Sequence, residues 1–308
     1  MTKILITGGA GFVGSSLADS LLKNKDYFIV LVDNFLTGYE HHIPRAQNCI
    51  FIKCDVNNYR DISSVMERYG FDYVFHYAAV VGVLRTIQNP KMVLDDVWGM
   101  ENVFMLSKNT GVKRIFFSSS SEVYGEPVHL PQHEHETPLN SKLPYAVIKN
   151  LGECFCRTYK QEYGLDYTIL RFFNTYGPKQ SADFVMSKFL NLALKNEPIP
   201  VYGDGSQTRT FCYIQDNIDF TIDIFQNNHM LNDVVNLGND QLTTIKELAE
   251  IIIDITGSRS TIAHLPPLKE GDMTRRQPDI SKMRSVLKRD LTELRVGIGN
   301  ILRAWEKN

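Results

Sequence analysis

The chain has 308 residues, enough to bury a large core as one big domain or two intimate ones. Its 33 Lys and Arg against 35 Asp and Glu leave a net charge of −2, which argues against a nucleic-acid partner or an anionic membrane surface. No apolar run approaches the ~18 residues of a membrane span, and the N-terminus enters a strand at once, so no signal peptide is expected. Cys49, Cys54, Cys154, Cys156 and Cys212 form no C-x-x-C pair or disulfide-like framework, so reduced thiols in a cytoplasmic protein are expected. No metal is expected either: His41, His42, His129, His133 and His135 lack a supporting Cys or an ordered helix.

Residues 3–7 are a short apolar run that reads as a buried parallel strand. Gly8-Gly-Ala-Gly-Phe-Val-Gly14 follows, and 15–22 then carry apolar residues at helical spacing. Gly9, Gly11 and Gly14 satisfy G-x-G-x-x-G in the strand–turn–helix setting that motif requires. The first glycine permits the tight turn, the second lets backbone amides approach a pyrophosphate, and the third lets helix pack on strand. A second strand, 28–33, ends in Asp33, whose carboxylate would accept from a ribose diol and repel a 2′-phosphate, favouring NAD(H) over NADP(H). Residues 50–56 read as a third strand, with Asp55 placed for an adenine amino group. A fourth strand spans 73–80, where Ala78 and Ala79 leave room for a cofactor near the backbone.

The fifth strand, 114–118, delivers Ser118-Ser-Ser-Ser-Glu-Val-Tyr-Gly125 to the carboxyl end of the sheet, where open parallel sheets bind ligands. Downstream, Pro144-Tyr-Ala-Val-Ile-Lys149 sets Tyr145 and Lys149 four apart on one helix face. An ammonium beside a phenol favours the ionised phenol, and the Ser120 hydroxyl can bond the same substrate oxygen. Together they make a device for moving a proton on and off a hydroxyl, to which Glu122 adds a separate base.

Strand and helix alternate through the first ~170 residues, as a doubly wound sheet requires. Beyond them 174–178, 198–205 and 265–268 are turn-rich. Helices are expected near 184–195, 214–226 and 243–256, and 234–237 return to the sheet. The expected fold is α/β, a Rossmann-type doubly wound parallel sheet with a smaller α/β substrate-binding lobe. The cofactor domain would take 1–173 with returning segments at about 210–240, and the lobe about 174–209 and 241–308.

Assembled, these residues resemble the extended short-chain dehydrogenase/reductase family, specifically its nucleotide-sugar epimerases, dehydratases and decarboxylases. The resemblance runs nearly end to end. It rests on Thr7 to Gly14, Asp33, Asp55-Val56, Ser118 to Gly125, Tyr145-x-x-x-Lys149, Arg171-Phe-Phe-Asn-Thr-Tyr-Gly-Pro178 and Tyr202-Gly-Asp-Gly-Ser-Gln-Thr-Arg209. It implies tightly held NAD, contacted by Gly8, Gly11, Phe12, Val13, Gly14, Asp33, Asn34, Asp55, Val56, Ala78, Ala79, Tyr145 and Lys149. It further implies that Tyr145 takes the proton of a sugar 4-hydroxyl, that Lys149 contacts the nicotinamide ribose and eases tyrosine ionisation, and that Ser120 binds O4. The product of that step is a 4-keto sugar, and the cofactor is recycled.

For the substrate the resemblance implies contacts from Ser121, Arg85, Asn174, Val201, Tyr202, Arg209 and Arg276. Asn174 matches the position at the diphosphate–sugar link, Arg209 and Arg276 match basic positions on the phosphates, and Val201-Tyr202 would lie along the base. Simple 4-epimerases of the family usually carry a small or hydroxyl residue at the position of Glu122, whereas dehydratases and glucuronate decarboxylases usually carry Glu. A UDP-sugar is the favoured substrate, with C5 elimination or decarboxylation ahead of plain 4-epimerisation. The stretch 140–144 lacks the arginine and the Tyr-Asp-Glu-Gly-Lys run of the decarboxylase branch, and Asp96 stands where the family commonly has Asn. A net dehydrogenase and a non-catalytic sensor are the remaining alternatives. Members commonly pair through two helices, here near 92–108 and 147–163 (Val97, Met100, Phe104, Leu151, Phe155, Tyr159), so a homodimer is expected.

Overall fold

A computed structural model describes residues 1–266 and 275–306. Pro267 and Leu268 of the turn expected at 265–268 lie outside the described residues. The chain divides into two compact units. The first comprises Met1–Val123, Ser141–Phe172 and Ile218–Val235, and the second Tyr124–Asn140, Phe173–Asn217 and Asn236–Asn308.

In chain order the first unit opens with β1 (Thr2–Thr7), α1 (Phe12–Leu21), β2 (Tyr27–Asp33), β3 (Cys49–Lys53), α2 (Tyr59–Tyr69) and β4 (Tyr73–His76). It continues through α3 (Val83–Gln88), α4 (Pro90–Thr110), β5 (Arg114–Ser120), α5 (Pro144–Tyr163) and β6 (Asp166–Phe172). The second unit then brings β7 (Thr175–Tyr176), α6 (Val185–Leu194), β8 (Ile199–Tyr202), β9 (Thr208–Thr210) and β10 (Cys212–Tyr213). After α7 (Ile214–Gln226) and β11 (Asp233–Leu237) follow β12 (Leu242–Thr244), α8 (Ile245–Thr256), β13 (Ile262–Leu265), α9 (Ser281–Leu287) and α10 (Leu294–Trp305).

The central sheet runs β11-β6-β5-β4-β1-β2-β3, and its β1 to β6 ladders are parallel. The order reverses between β1 and β4, and in open parallel sheets the carboxyl ends of the strands at such a reversal are where ligands bind. Strands with both faces covered need apolar side chains on both, which is why Ile4, Leu5, Ile6 and Ile29 to Val32 are fully buried without alternation. Phe75 stacks on Phe116 at 4.4 Å and Phe225 of α7 meets both edge-on, pairs worth roughly 0.5–1.5 kcal/mol each beyond their burial.

Several strand ends differ from the sequence expectation. β3 stops at Lys53 rather than Val56, because Asp55 turns to accept the Asn57 N–H at 2.9 Å. β4 stops at His76 rather than Val80, because the Ala78 N–H leaves the ladder for the Thr7 hydroxyl at 3.0 Å. β5 instead runs on to Ser120, so two of the expected turn serines are strand residues, and a 3₁₀ turn covers Ser121–Tyr124.

Residues 124–140 fall in the second unit, where Glu134 accepts the Asn236 N–H at 2.9 Å and Gln132 exchanges backbone contacts with Gln277 and Asp279. That unit's core gathers α6, α8 and α10 around Leu190, Leu248, Ile252, Ile298 and Ile301. Within the stretch read as turns, Ile199–Tyr202 forms β8, paired parallel with β13. Among the described residues no helix is long and apolar enough to cross a membrane, and no His/Cys/Asp/Glu group is placed to hold a metal. All five cysteines are free thiols.

Candidate active site

The glycine loop links β1 to α1, and its shape leaves no room for side chains. Gly8 has φ +68°, and a Cβ there would sit 2.8 Å from the Ala78 nitrogen; a Cβ on Gly14 would sit 2.4 Å from the Gly8 oxygen. Gly11 caps α1 without a side-chain hydrogen bond, and the first turn of α1 holds no acid. The N–H groups of Phe12, Val13 and Gly14 are therefore offered to an anion by the helix itself.

Asp33 ends β2 and is 9% exposed; its Oδ2 accepts the Ala10 N–H at 3.0 Å and its Oδ1 the Phe35 N–H at 2.8 Å. Burial pushes its carboxyl above the ordinary value, and the Phe35, Ala10 and Gly11 amides pull it part-way back. Each oxygen keeps a further lone pair for a diol. Asn34 and Asp55 are brought together, amide to carboxylate at 3.3 Å, and the Val56 carbonyl is held by the buried Asn102 amide at 2.9 Å. A fixed acid, a bare helix N-terminus and a cradle that any Cβ would fill suit a dinucleotide with a free 2′-hydroxyl.

The loop carrying Ala78 and Ala79 is held by Thr7. The Thr7 hydroxyl accepts from Ala78 and, at 3.1 Å, from Tyr77, so its own proton goes to His76 Nδ1 at 2.8 Å. Burial, with the Lys149 charge adding to it, drives the His76 pKa down to about 3. This imidazole is therefore neutral, with its proton on Nε2.

Pro144 at the first turn starts α5, and the helix carries Tyr145 and Lys149 on consecutive turns. Lys149 is 4% exposed; its Nζ donates to the Ser118 carbonyl at 2.7 Å and approaches the Ser118 hydroxyl at 3.2 Å. The same ammonium lies 5.8 Å from the Tyr145 ring centre. Burial lowers the Lys149 pKa to about 8, opposed by the Asp96 carboxylate. Ser120 ends β5 at the carboxyl end of the sheet, its Oγ accepting the Glu122 N–H at 3.2 Å. Ser121 is buried, and Glu122 is only half-buried in the 3₁₀ turn.

Beneath this group lies a side chain that the sequence reading missed. Glu153, fully buried one turn beyond Lys149, accepts from Ser119 Oγ at 2.7 Å, Arg171 Nε at 2.8 Å and Arg171 Nη2 at 2.7 Å. Its signal was a third polar residue at the same four-residue spacing as Tyr145 and Lys149. Thr7 and His76 carried no such local signal, since their contact spans 69 residues.

The substrate candidates are placed less uniformly. Arg85 turns back on its own loop, Nη1 donating to the Val81 carbonyl at 2.8 Å. In the second unit Asn174, at φ 35°, donates to the Thr210 carbonyl at 2.9 Å. Thr208 bridges Arg275, so Arg209 and Arg276 flank one strand pairing; Arg209 is half-buried and Arg276 7% exposed. Tyr202 is half-buried at the end of β8. Val201 is fully buried in the second unit's core, which leaves its backbone as the part that could lie along a base.

The model of the NAD dependent epimerase/dehydratase family matches residues 4–238. A putative UDP-glucose 4-epimerase of Methanocaldococcus jannaschii is 34% identical over 99% of this chain and 98% of its own. UDP-glucuronic acid decarboxylase 1 of Danio rerio is 35% identical over 92% of this chain and 68% of its own. A solved UDP-glucose 4-epimerase of Thermotoga maritima, with UDP-glucose, is similar at a TM-score of 0.93 and 29% identity, covering 99% of both chains.

Proposed function

We propose, because this chain belongs to the NAD dependent epimerase/dehydratase family and takes NAD as its cofactor, that it remodels a UDP-sugar through a 4-keto intermediate, with Glu122 acting at C5. The observation that carries this reading is the joint placement of Ser120, Glu122, Tyr145 and Lys149 in the first unit, with Lys149 buried against Ser118 and close to the Tyr145 ring. The UDP-sugar class is supported by the names of the relatives.

Ser120 and Tyr145 address the 4-hydroxyl of the sugar, and Tyr145 accepts its proton. The positive charge of Lys149 favours the phenolate that this step needs. NAD, when bound, would supply the two-electron acceptor at C4 and the source of the hydride returned later in the cycle. While C4 is a ketone, the C5 proton is acidic, and a C5 carboxylate is a β-keto acid. Glu122 then takes the C5 proton as the C6 hydroxyl leaves as water, or governs protonation of C5 after carbon dioxide departs. In the decarboxylation branch Tyr145 finally gives its proton back to O4 as C4 is reduced; in the elimination branch C4 stays a ketone, and C6 takes the returned hydride and C5 a proton. A second reading, plain 4-epimerisation without a base at C5, is favoured by the relatives named UDP-glucose 4-epimerase.

The test incubates the protein with UDP-glucuronate, UDP-N-acetylglucosamine or UDP-glucose in deuterated water. Deuterium at C5 or C6, or release of carbon dioxide, is the expected result. Clean exchange of C4 epimers without deuterium would sink the role given to Glu122 and leave the epimerase reading standing.

A homodimer is part of the same proposal. The exposed flanks of α4 and α5 carry Leu94 (44% exposed), Trp98 (57%), Val147 (46%) and Leu151 (37%), apolar area that a second copy would cover.

A further inference from the structure

Ala10 stands between Gly9 and Gly11 of the glycine loop, and both of its peptide groups are taken by one later stretch of chain, residues 33–42. Asp33 Oδ2 accepts the Ala10 N–H at 3.0 Å. The Ala10 carbonyl accepts the Tyr39 N–H at 3.0 Å and is met by His42 Nδ1 at 3.3 Å. A carbonyl oxygen has two lone pairs and can only accept, so it takes both donors, and the His42 ring carries a proton on Nδ1. The stretch thus starts and ends on the same residue of the cofactor loop.

What holds the stretch there is mainly polar. At its start Asp33 Oδ1 accepts the Phe35 N–H at 2.8 Å, with Phe35 at φ 66° and its ring 5.0 Å from that of Phe51. Asn34 Oδ1 accepts the Leu36 N–H at 2.9 Å. In its middle Gly38 lies against Ala10, where a Cβ would sit 2.9 Å from the Ala10 carbonyl carbon. At its end a 3₁₀ turn, Glu40–His42, presents the His42 ring. Leu36, Tyr39, Glu40 and His41 are exposed, whereas Gly38 and His42 are buried. A segment that covers so little apolar area keeps its place through its hydrogen bonds, and His42 supplies a side-chain bond at the closing end.

A glycine loop whose amides meet a pyrophosphate binds best when it is already held in that shape, because less ordering is then left to the ligand. Ala10 joins that loop to Asp33, the carboxylate suited to a ribose diol. We propose that His42 is a positioning residue for the cofactor: by locking residues 34–42 onto the Ala10 carbonyl, it fixes the glycine loop and Asp33 in the arrangement that takes the adenosine diphosphate half of NAD. This role stands whether or not Glu122 acts at C5.

The test reads cofactor release rather than turnover. Protein carrying radiolabelled NAD is mixed with excess unlabelled NAD, and the label leaving the protein is followed with time. His42→Ala should speed release roughly tenfold, the equivalent of about 1.4 kcal/mol for one lost hydrogen bond. His42→Asn, whose amide can donate to the same carbonyl, should recover most of the wild-type rate. Glu40→Ala, at an exposed position of the same turn, should leave the rate unchanged. His42→Phe keeps a ring without a donor and repeats the measurement should the Ala variant not fold. ADP-ribose, which carries the adenosine diphosphate half and lacks nicotinamide, should lose affinity for the variant by the same factor when used as competitor. A lower urea midpoint with an unchanged release rate would assign His42 to stability alone and overturn the proposal. Faster release from Glu40→Ala, or an ADP-ribose affinity that does not move, would overturn it too.

Discussion

Arg171 grips Glu153 with two parallel hydrogen bonds, Nε to Oε1 at 2.8 Å and Nη2 to Oε2 at 2.7 Å, and neither side chain is more than 3% exposed. With Ser119 also donating to Glu153, this pair joins α5, β5 and β6 under the residues that meet the substrate in the proposed function. Removing one partner of such a pair strands a buried charge, which costs more than the pair contributes. Glu153→Ala should lose about 3–5 kcal/mol in urea unfolding.

The same carboxylate sets an acid limit. Burial opposes its ionisation, but Arg171, Ser119 and Arg157 prevail and hold the carboxyl below its ordinary value. A carboxyl depressed in the folded state stabilises fully above its unfolded value, about 4.3, and the contribution disappears as pH falls through the folded value. Wild-type stability should therefore drop below roughly pH 4, and Glu153→Gln should flatten that part of the stability–pH curve.

Tyr145→Phe removes the proton acceptor and keeps the ring. Turnover should fall by about 10²–10⁴, while the cofactor released on denaturing the variant stays at the wild-type ratio. Full turnover in Tyr145→Phe would overturn the assigned chemistry.

Thr7→Val is nearly isosteric but deprives the Ala78 N–H and His76 Nδ1 of their shared partner. The expected loss is about 2–6 kcal/mol, at roughly 1–3 kcal/mol for each of the two buried groups left unmade. His76 gives a second readout. With its folded pKa near 3 and an unfolded value of about 6.5, its share of stability is complete above pH ~6.5 and erodes toward pH 3. Its ring proton shifts should stay flat between about pH 5 and 8 in the folded protein.

Trp98→Glu and Leu151→Glu put charge into the apolar flanks of α4 and α5. Sedimentation should show the wild type at dimer mass and the double variant at monomer mass, with the fold intact by circular dichroism.

What the sequence made legible was local. The glycine loop, Asp33 and the Tyr145/Lys149 pair are encoded by spacing within a single turn or strand–helix joint, where steric limits act on neighbours. The end of β4 was not legible, because Thr7, remote in the chain, captures the Ala78 N–H. Nor was β8, whose Pro200 and following glycines read as turn. Pro200 is tolerated because β8 belongs to a sheet of only two strands and leaves one edge without a ladder. The burial of Val201 was hidden for the same reason: once 199–202 is a strand, its side chain follows the alternation into the core. Glu122 shows the opposite limit, since its position was legible in the chain while its half-burial depends on the turn that follows β5.

The edge partner of β6 is β11, and the chain builds β7, α6, β8, β9, β10 and α7 before reaching it. During synthesis the nascent sheet must therefore wait, with the edge of β6 bare, until the segments through α7 have left the ribosome. An unpaired apolar edge is a template for wrong partners. Chains stopped short of residue 233 are accordingly expected to aggregate, and neither unit can be excised by a single cut. The two units alternate along the chain, so the sheet of the first is completed only after a large part of the second has been made.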